Sequence, residues 1–247
     1  MKLEEFYAIN PRFALGFSGG VDSSYLLYSA VNCGVQIQPY FIKTQFQTDE
    51  EFAAAQKFAD GLGCALKVLR LDVLNNADVV SNPPDRCYYC KKVLFGRIKN
   101  EALNDGFSVI ADGTNASDDI SDRPGFRALE ELGVLSPLRI CGITKNEIRE
   151  ELKKAGLPVW NAPSNACLAT RIPTGTPITE AELSRVNCSE NALKAIGFSD
   201  LRVRSMGRAA KLELTGEQLE RAVARRWDVL CALKPYFDSV YLDLKER

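Results

Sequence analysis

A short segment near the start of the chain combines glycines, serines and one aspartate, and these residue types suit the binding of a phosphate. The segment reads Ser18-Gly19-Gly20-Val21-Asp22-Ser23-Ser24. Glycines let the backbone approach a phosphate closely, and a helix that begins at such a turn presents its N–H groups to an anion. The Asp22 carboxylate is a candidate ligand for Mg²⁺ beside the phosphates. The segment lacks the Lys-Ser/Thr ending of a Walker A loop, and the alternative is an ordinary turn between a strand and a helix.

Three cysteines form a second set of residues that could do chemistry. Cys87 and Cys90 make a CxxC that follows two prolines and precedes a predicted helix, and Cys167 lies in a loop beside Arg171. A CxxC alone is compatible with a redox pair, half of a zinc site or part of an iron–sulfur site. The chain has no histidine and no second CxxC, which leaves a structural zinc site short of ligands. Cys167 is either a reactive thiol or a packed loop residue.

The elements around the phosphate-binding segment predict how it is positioned. The apolar run 13–17 predicts a buried strand before it, and apolar residues at helical spacing predict a helix after it. Strands and helices alternate as far as residue 155, which predicts an α/β fold: a parallel sheet with helices on both faces. Ligands bind at the carboxyl ends of the strands in such folds, where the segment lies. The other predicted strands are 35–42, 66–71 and 107–111, and the other predicted helices are 50–62, 89–103 and 144–155. Thr144 and Glu147 match a capping box at the start of the last of these helices.

The C-terminal third of the chain has a different pattern. Proline and glycine punctuate residues 156–178, which predicts a long loop or linker. A predicted helix at 179–196 begins a small α+β unit that continues with strands 201–204 and 211–214, helix 216–223 and strand 239–244. We therefore expect three parts: an α/β domain over 1–157, a cysteine-bearing loop over 158–178, and a small α+β domain for substrate binding or oligomerisation over 179–247. Arg202 and Arg204 alternate along a predicted strand, so both side chains lie on one face of it. There they either contact a substrate phosphate or are solvated charges at the strand edge.

Composition restricts the class of partner. The net charge of −1 gives no basic field that would favour nucleic acid, and no run of about 18 apolar residues predicts a membrane span. Residues 1–5 do not resemble a signal peptide. Eight cysteines in 247 residues suggest metal or sulfur chemistry in the cytoplasm rather than a disulfide scaffold. Without histidine, proton transfer falls to carboxylates, lysines, thiols or water. Exposed strands in the small domain also favour a homo-oligomer.

Five stretches, taken in order, resemble LarE, the ATP-dependent sulfur transferase family of nickel-pincer cofactor biosynthesis. They are 18–24, Asp112-Gly113-Thr114-Asn115, the region from Arg123-Pro124-Gly125 to Ser136-Pro137-Leu138, 163–171 and 201–204. The resemblance implies the PP-loop ATP pyrophosphatase fold, which is adenine nucleotide alpha hydrolase-like. It also implies that ATP and Mg²⁺ are used to adenylate each carboxylate of pyridinium-3,5-biscarboxylic acid mononucleotide, with release of pyrophosphate. Sulfur then replaces AMP, and two cycles give the bisthiocarboxylate.

The same resemblance assigns roles to individual residues. Cys167 falls where the family places its sulfur-handling cysteine, and Asp22 is the loop residue that is a candidate ligand for Mg²⁺. Asp118 and Asp119 are further Mg²⁺ candidates, with a helix N-cap as the alternative. Family members usually carry a histidine soon after the arginine pair, whereas this chain has Ser205-Met206-Gly207. The implied nucleotide-binding residues are Ser18, Gly19, Gly20, Asp22, Ser23, Ser24, Gly113 and Arg123, and the implied substrate-binding residues are Arg202, Arg204 and Glu190. The alternative for Glu190 is a residue on the surface of a helix.

The family contains two sulfur chemistries, which differ in the number of cysteines they use; a zinc site or an inert pair is a further alternative for Cys87 and Cys90. In one, a lone cysteine gives up its own sulfur and becomes dehydroalanine. In the other, three cysteines hold a 4Fe–4S cluster and leave one iron to carry an extra sulfide. Because this chain has Cys87 and Cys90 as well as Cys167, it resembles the cluster type.

Three other functions compete with this interpretation. A tRNA thiolase of the same superfamily would need a basic surface for RNA, but residues 178–247 contain 12 Lys/Arg against 11 Asp/Glu. An amide-forming synthetase would not need a CxxC together with Cys167. A nucleotide-binding regulator that has lost catalysis would not need an intact loop and a loop thiol.

Overall fold

The structure, a computed structural model, describes residues 1–119, 124–163 and 166–247. Within these ranges the strands are β1 (Arg12–Gly16), β2 (Gln36–Lys43), β3 (Lys67–Arg70), β4 (Ile110–Ala111), β5 (Arg202–Met206), β6 (Ala209–Glu213) and β7 (Ser239–Leu242). The helices are α1 (Leu3–Ile9), α2 (Val21–Asn32), α3 (Asp49–Gly61), α4 (Ala77–Val80), α5 (Arg86–Asn104), α6 (Pro124–Leu132), α7 (Pro137–Ile140), α8 (Lys145–Lys154), α9 (Glu180–Ala195), α10 (Gly216–Ala224) and α11 (Arg226–Leu233). Short 3₁₀ turns cover Val73–Asn75, Pro158–Asn161 and Leu168–Arg171.

The chain divides into two compact units, and neither is a continuous piece of sequence. The first unit consists of residues 1–73 and 85–165, and the second consists of 74–84 and 166–247. The bounds expected from the sequence differ in two places. Residues 74–84 were expected in the α/β domain, and the expected linker 158–178 is shared between the units. Its first part packs on α8, where Arg149 donates to the backbone oxygens of Trp160 and Ala162.

The first unit is built on a four-stranded parallel sheet in the order β3-β2-β1-β4, as the alternation of strands and helices predicts. Alternate side chains of β1 enter different cores because successive residues of a strand face opposite ways. Phe13 and Leu15 pack with α2, α3 and α8, whereas Ala14 packs with α5 and α6. Helices therefore cover both faces, and the carboxyl edge of the sheet is the edge from which α2 departs.

Side-chain caps fix where four of the described helices begin, namely α3 and α8 in the first unit and α4 and α9 in the second. At α8, the predicted capping box is confirmed: the Thr144 hydroxyl accepts from the Glu147 N–H, and the Glu147 carboxylate accepts from the Thr144 N–H at 2.7 Å. Thr48 and Glu51 form the same box at α3. Asn76 and Thr179 cap α4 and α9. These caps satisfy N–H groups that a helix leaves without partners.

The second unit contains a three-stranded mixed sheet in the order β5-β6-β7. β5 and β6 form an antiparallel hairpin, and β6 pairs with β7 in parallel. The sequence predicts one helix between β6 and β7, but the structure has two, α10 and α11. Helix α11 is not predicted because its apolar residues do not form one face. Trp227 and Leu230 are exposed, whereas Val229 and Leu233 are buried. No helix among the described residues is long and apolar enough to span a bilayer.

Candidate active site

The serines of the predicted phosphate-binding segment hold the turn between β1 and α2 in shape. The Ser23 hydroxyl accepts from the Ser18 N–H at 3.3 Å and donates to the Gly20 carbonyl at 3.2 Å. The hydroxyls of Ser18 and Ser23 lie 3.1 Å apart, and the Gly20 N–H donates to the Ser18 hydroxyl at 3.3 Å. Gly20 is the N-cap of α2 and supplies no side-chain cap. The start of α2 therefore retains N–H groups and a dipole suited to an anion.

Two glycines are required here because other backbone or side-chain atoms pack directly against them. Gly19 has φ +73°, and a Cβ there would lie 2.7 Å from the Cβ of Ala55 in α3. A Cβ on Gly113 would lie 2.8 Å from the backbone nitrogen of Ser23. Gly113 follows β4, so the ends of β1 and β4 approach each other at the start of α2. This contact places Gly113 beside the predicted phosphate-binding segment 18–24.

Asp22 faces a lysine that the sequence did not single out. The Lys145 ammonium donates to both carboxylate oxygens of Asp22, at 2.8 and 2.7 Å, and each side chain is about one quarter exposed. Lys145 is the first residue of α8, and its N–H donates to the Ser117 hydroxyl at 3.0 Å. The capping box at Thr144 was the available signal, since it fixes where α8 begins. The pair brings a cation and a carboxylate to the start of α2.

Asp112 is a second residue to which the sequence assigned no role. It is buried at the end of β4, where one carboxylate oxygen accepts from the Ser136 hydroxyl at 2.7 Å and the other from the Thr114 hydroxyl at 2.5 Å. The Lys91 ammonium lies 3.8 Å from the same carboxylate. Asp112 thus holds the loop that carries Gly113. Its position directly after a predicted strand and before a glycine was the signal for it.

The CxxC lies at the start of α5 in the first unit. Cys87 is exposed and Cys90 is partly buried. α5 precedes β4 in a parallel sheet, so its first turn lies at the same edge of the sheet as the start of α2. Lys91, the residue after Cys90, reaches Asp112 and so ties this turn to the Gly113 loop. A second brace joins α5 to α6, because Lys92 and the Tyr88 hydroxyl both bind the Glu131 carboxylate, Lys92 at 2.8 Å and Tyr88 at 2.7 Å.

The other metal candidates of this unit occupy a loop. The Asp118 carboxylate accepts from the Asn115 N–H at 3.1 Å, and the Asp118 carbonyl accepts from Arg139 at 2.9 Å. Asp118 therefore stabilises the turn after β4, while Asp119 follows it in the same loop. Arg123, which the resemblance assigned to the nucleotide, lies outside the described residues.

In the second unit, Cys167 precedes a 3₁₀ turn at Leu168–Arg171. The Cys167 carbonyl accepts from the Thr170 N–H at 3.0 Å and from the Thr170 hydroxyl at 2.8 Å. Leu168 and Ala169 are buried, which anchors the turn, while Cys167 itself is partly buried. A 3₁₀ turn therefore follows the cysteine within the segment that the sequence predicts to be a loop or linker.

Glu190 and Arg171 form a buried ion pair behind that turn. Arg171 Nε donates to Glu190 Oε1 at 2.8 Å, and Nη2 donates to Oε2 at 3.1 Å. The sequence left Glu190 as either a substrate ligand or a helix surface residue. Glu190 is only 5% exposed, so it does not lie on a helix surface.

Arg202 and Arg204 share one face of β5, as predicted. Both are partly buried, whereas Val203 and Ser205, which face the other way, are buried. Burial lowers the pKa of the Arg202 guanidinium, and the like charges of Arg171 and Arg204 lower it further. Arg204 donates to the Thr170 carbonyl at 2.6 Å and to the Glu213 carboxylate at 2.5 Å. Arg202 and Arg204 therefore lie on the strand next to the turn after Cys167, and paired guanidinium groups of this kind suit an anionic ligand.

Ser205 stands in the region where family members usually carry a histidine, and it serves the fold. Its hydroxyl donates to the Glu182 carboxylate at 2.8 Å and accepts from Arg185 at 3.1 Å. The side chain is 2% exposed. Ser205 thus links β5 to α9.

The three cysteines expected to bind one cluster belong to different units. Cys87 and Cys90 lie in the first unit, and Cys167 lies in the second. Within residues 1–119, 124–163 and 166–247, no three cysteine, aspartate or glutamate side chains are grouped so that they could hold a metal ion. Cys87 and Cys90 lie one helical turn apart at the start of α5 in the first unit.

Comparison with known proteins places this geometry in a family. No protein-family model matches the chain. The chain is 34% identical to an uncharacterized protein of Synechocystis sp., over 90% of its length and 83% of the relative. It is 32% identical to the pyridinium-3,5-bisthiocarboxylic acid mononucleotide synthase of Lactiplantibacillus plantarum, over 82% of its length and 74% of the relative.

A more distant similarity connects the chain to RNA-modifying enzymes. It is 29% identical to the tRNA-specific 2-thiouridylase MnmA of Pseudothermotoga lettingae, over 64% of its length and 55% of the relative. The synthase and the thiouridylase are sulfur-transferring enzymes of the PP-loop family, and the parallel sheet with the glycine-rich turn after β1 agrees with that fold. The chain therefore belongs to the LarE family of sulfur-transferring PP-loop enzymes.

Proposed function

We propose that this chain is an ATP-dependent sulfur transferase that converts the two carboxylates of pyridinium-3,5-biscarboxylic acid mononucleotide into thiocarboxylates. Its product would serve nickel-pincer nucleotide cofactor biosynthesis. The observation that carries the proposal is the 32% identity to a synthase named for that product, over 82% of this chain. The turn at residues 18–24 and the two arginines of β5, Arg202 and Arg204, support it.

The first unit supplies the chemistry of ATP. The N–H groups at the start of α2 and the Ser18 and Ser23 hydroxyls bind phosphate oxygens. Asp22 would hold Mg²⁺, which neutralises phosphate charge when bound. A substrate carboxylate oxygen forms a bond to the α-phosphorus while the bond to pyrophosphate breaks, giving an acyl adenylate. Lys145 compensates negative charge that develops on the departing pyrophosphate.

The second unit supplies substrate binding and sulfur handling. Arg202 and Arg204 bind the phosphate of the mononucleotide through charge-assisted hydrogen bonds. A sulfur nucleophile then forms a bond to the acyl carbon, and the bond from that carbon to the AMP oxygen breaks. The products are a thiocarboxylate and AMP. Cys167 is the residue of this unit that handles the sulfur.

We assign Cys87, Cys90 and Cys167 as ligands of a 4Fe–4S cluster, on the resemblance and on the CxxC. The two thiols on successive turns of α5 suit one cluster, since they lie at a helix N-terminus that favours thiolates. When bound, such a cluster supplies an iron without a protein thiolate, which can carry a sulfide. The alternative is a sacrificial Cys167 that gives up its own sulfur.

Anaerobic purification followed by iron and sulfide analysis tests this assignment. We expect iron and sulfide in the wild type, and loss of both when Cys87, Cys90 or Cys167 is replaced by Ser. Cys188→Ser and Cys231→Ser, which alter exposed cysteines, are the matched controls and should retain the iron. An iron-free wild type that loses the mass of hydrogen sulfide at Cys167 during turnover would contradict the cluster and support the sacrificial alternative.

Substrate-dependent pyrophosphate release tests the function itself. Pyrophosphate should form when ATP, Mg²⁺ and the biscarboxylate mononucleotide are present together, and tRNA should not replace the mononucleotide. Asp22→Asn should abolish the release, whereas Asp60→Asn on the exposed side of α3 should not change it. Release that depends on tRNA would instead establish the thiolase alternative.

Two further expectations remain proposals. We propose a cytoplasmic enzyme, which fractionation of the source cells would test. We also propose self-association, because β5 and β7 are the edge strands of the described three-stranded sheet and edge strands offer unpaired backbone groups. Sedimentation velocity would show a single monomeric species if that proposal is wrong.

A further inference from the structure

We propose that Glu190 and Arg171 form a positioning pair that holds Cys167 and the arginine strand β5 in register, rather than contacting the substrate. This inference rests on the proposed function, because it assumes that Cys167 and the arginines of β5 act in sulfur transfer. All the contacts that support it lie within the second unit.

Both partners are withdrawn from solvent. Their side chains are 8% and 7% exposed. The two parallel hydrogen bonds between guanidinium and carboxylate have the bidentate geometry that makes such pairs strong and directional. A residue that recognises a substrate must present polar atoms to it, and this pair directs its polar atoms towards protein.

The remaining atoms of Arg171 bind the turn that follows Cys167. Nη1 donates to the Ala166 carbonyl at 2.6 Å, and it also lies 3.4 Å from the Cys167 carbonyl. The same nitrogen donates to the Thr170 hydroxyl at 3.2 Å, and that hydroxyl donates to the Cys167 carbonyl at 2.8 Å. Every nitrogen of the guanidinium is therefore engaged within the protein. Arg171 fixes the backbone on both sides of the thiol.

Glu190 connects this turn to the substrate-binding strand. Its Oε1 accepts from the Val203 N–H at 3.0 Å, in addition to the bond from Arg171. Val203 lies between Arg202 and Arg204, so one carboxylate sets the position of the strand that carries both arginines. Arg204 completes the link by donating to the Thr170 carbonyl at 2.6 Å. Three elements, namely α9, the 3₁₀ turn and β5, thus meet at Glu190.

This arrangement predicts how loss of the pair would appear in kinetics. A reacting group that moves by about 1 Å loses roughly 100-fold in rate even when substrate binding persists. Loss of a substrate contact would instead raise the KM. We therefore expect Glu190→Gln to lower kcat about 100-fold while the KM for the mononucleotide and for ATP stay unchanged. The kcat is expressed per chain that binds ATP, so that unfolded protein is not counted.

The double variant separates positioning from simple loss of folding. Removing one partner leaves an uncompensated buried charge, whereas removing both is far less damaging. In Arg171→Met/Glu190→Gln, both charges are gone, and the introduced amide keeps an acceptor for the Val203 N–H. We expect this double variant to fold at least as well as either single variant and to lose no more kcat than Arg171→Met alone, because residues that act as a unit are not additive. Glu180→Gln, at an exposed position of the same helix, is the matched control.

Hydrogen exchange provides a measurement that does not depend on turnover. In the full-length protein, Glu190→Gln should speed amide exchange in peptides covering 166–172 and 201–206, and Glu180→Gln should not. If the wild type transfers no sulfur, the proposed function fails, but the exchange result still decides whether Glu190 holds these segments. Unchanged exchange, or a raised KM with an unchanged kcat, would overturn the positioning role and make Glu190 a substrate ligand.

Discussion

Asp22 and Lys145 are separated by 123 residues, yet their charged groups lie 2.7 Å apart. In this state the carboxylate that would bind Mg²⁺ is neutralised by a lysine. A Mg²⁺ ion on Asp22, as proposed above, would repel the Lys145 ammonium and favour its contact with the phosphates. Lys145 would then compensate the negative charge that develops on pyrophosphate.

Lys145→Met tests that role. We expect pyrophosphate release to fall about 100-fold, a typical loss when one preorganised donor to a developing charge is removed. ATP binding should weaken less than turnover. Lys154→Met, at an exposed position of the same helix with a surface partner, is the control and should leave both quantities unchanged. An equal loss in the two variants would show that the effect comes from α8 stability.

Arg202→Ala tests the assignment of β5 to the substrate phosphate. A charge-assisted hydrogen bond contributes about 1.5–3 kcal/mol, so the KM for the mononucleotide should rise roughly 10- to 100-fold. The KM for ATP should stay the same. Arg208→Ala alters a guanidinium that is exposed at the β5–β6 turn and pairs with Asp238, and it should change neither value. A parallel rise of both KM values would contradict the assignment.

The remaining five cysteines differ in how far their thiols are buried. Burial raises the pKa of Cys64 and of Cys141, so fewer of these thiols are thiolates at pH 8, and the thiolate is the form that reacts. Cys33, Cys188 and Cys231 are exposed. Iodoacetamide at pH 8 should therefore label the exposed three first, and raising the pH to 9.5 should speed labelling of Cys64 and Cys141. Peptide mass mapping measures this order, and early labelling of Cys64 would contradict it.

At the scale of elements, the conformation of the phosphate-binding segment 18–24 depends on a close approach between the start of α2 and the loop after β4. Gly113→Ala would place a Cβ 2.8 Å from the Ser23 nitrogen, and a backbone atom cannot move away without opening the turn. We expect ATP affinity to fall at least tenfold, measured by calorimetry. Gly96→Ala in α5 meets nothing within 4 Å and should stabilise the protein by about 0.5–1 kcal/mol, because alanine favours the helix. Equal ATP affinities in the two variants would show that the approach is not needed.

Elements with a local signal were predictable, and the side-chain partners between them were not. The turn after β1 and the capping box at Thr144 each lie within a few residues, so their chemistry can be deduced from the sequence. Lys145 and Asp112 act through partners that only the fold brings close, which is why spacing did not reveal them. Helix α11 was missed for a different reason, since its exposed Trp227 breaks the one-sided apolar pattern. The metal and substrate assignments depend on the resemblance, and they remain predictions.

At the scale of the whole molecule, the chain passes between the compact units three times. Residues 74–84 belong with a unit whose other residues begin at 166. Asn82 secures this segment: its side-chain amide donates to the Pro173 carbonyl at 2.8 Å and to the Thr176 carbonyl at 3.0 Å. Its own carbonyl accepts from the Gly175 N–H at 2.8 Å. The residue is 1% exposed and has φ 54°, a conformation that asparagine tolerates better than most residues.

Asn82→Ala should therefore be costly. Unsatisfied buried carbonyls and the left-handed backbone together should lower the free energy of unfolding by about 2–4 kcal/mol, measured by urea denaturation. Asn82→Gly keeps the backbone freedom and loses only the amide, so it should lie between Asn82→Ala and the wild type. Asn191→Ala, at an exposed position of α9, should change the stability little. A Gly variant as unstable as the Ala variant would assign the whole cost to hydrogen bonds.

The return of segment 74–84 to a later part of the chain also has a consequence for protein synthesis. Asn82 leaves the ribosome 91 residues before Pro173. At roughly 5–20 residues per second, that interval lasts roughly 5–18 s. In the finished protein, Val79 and Asn82 are both buried, and residues around Pro173 cover Asn82. During this interval those covering residues have not yet been synthesised. The nascent chain therefore exposes a short segment with apolar residues between β3 and α5. We expect a chaperone that binds this segment to raise the yield of active enzyme more than it raises the yield of correctly folded β1–β3.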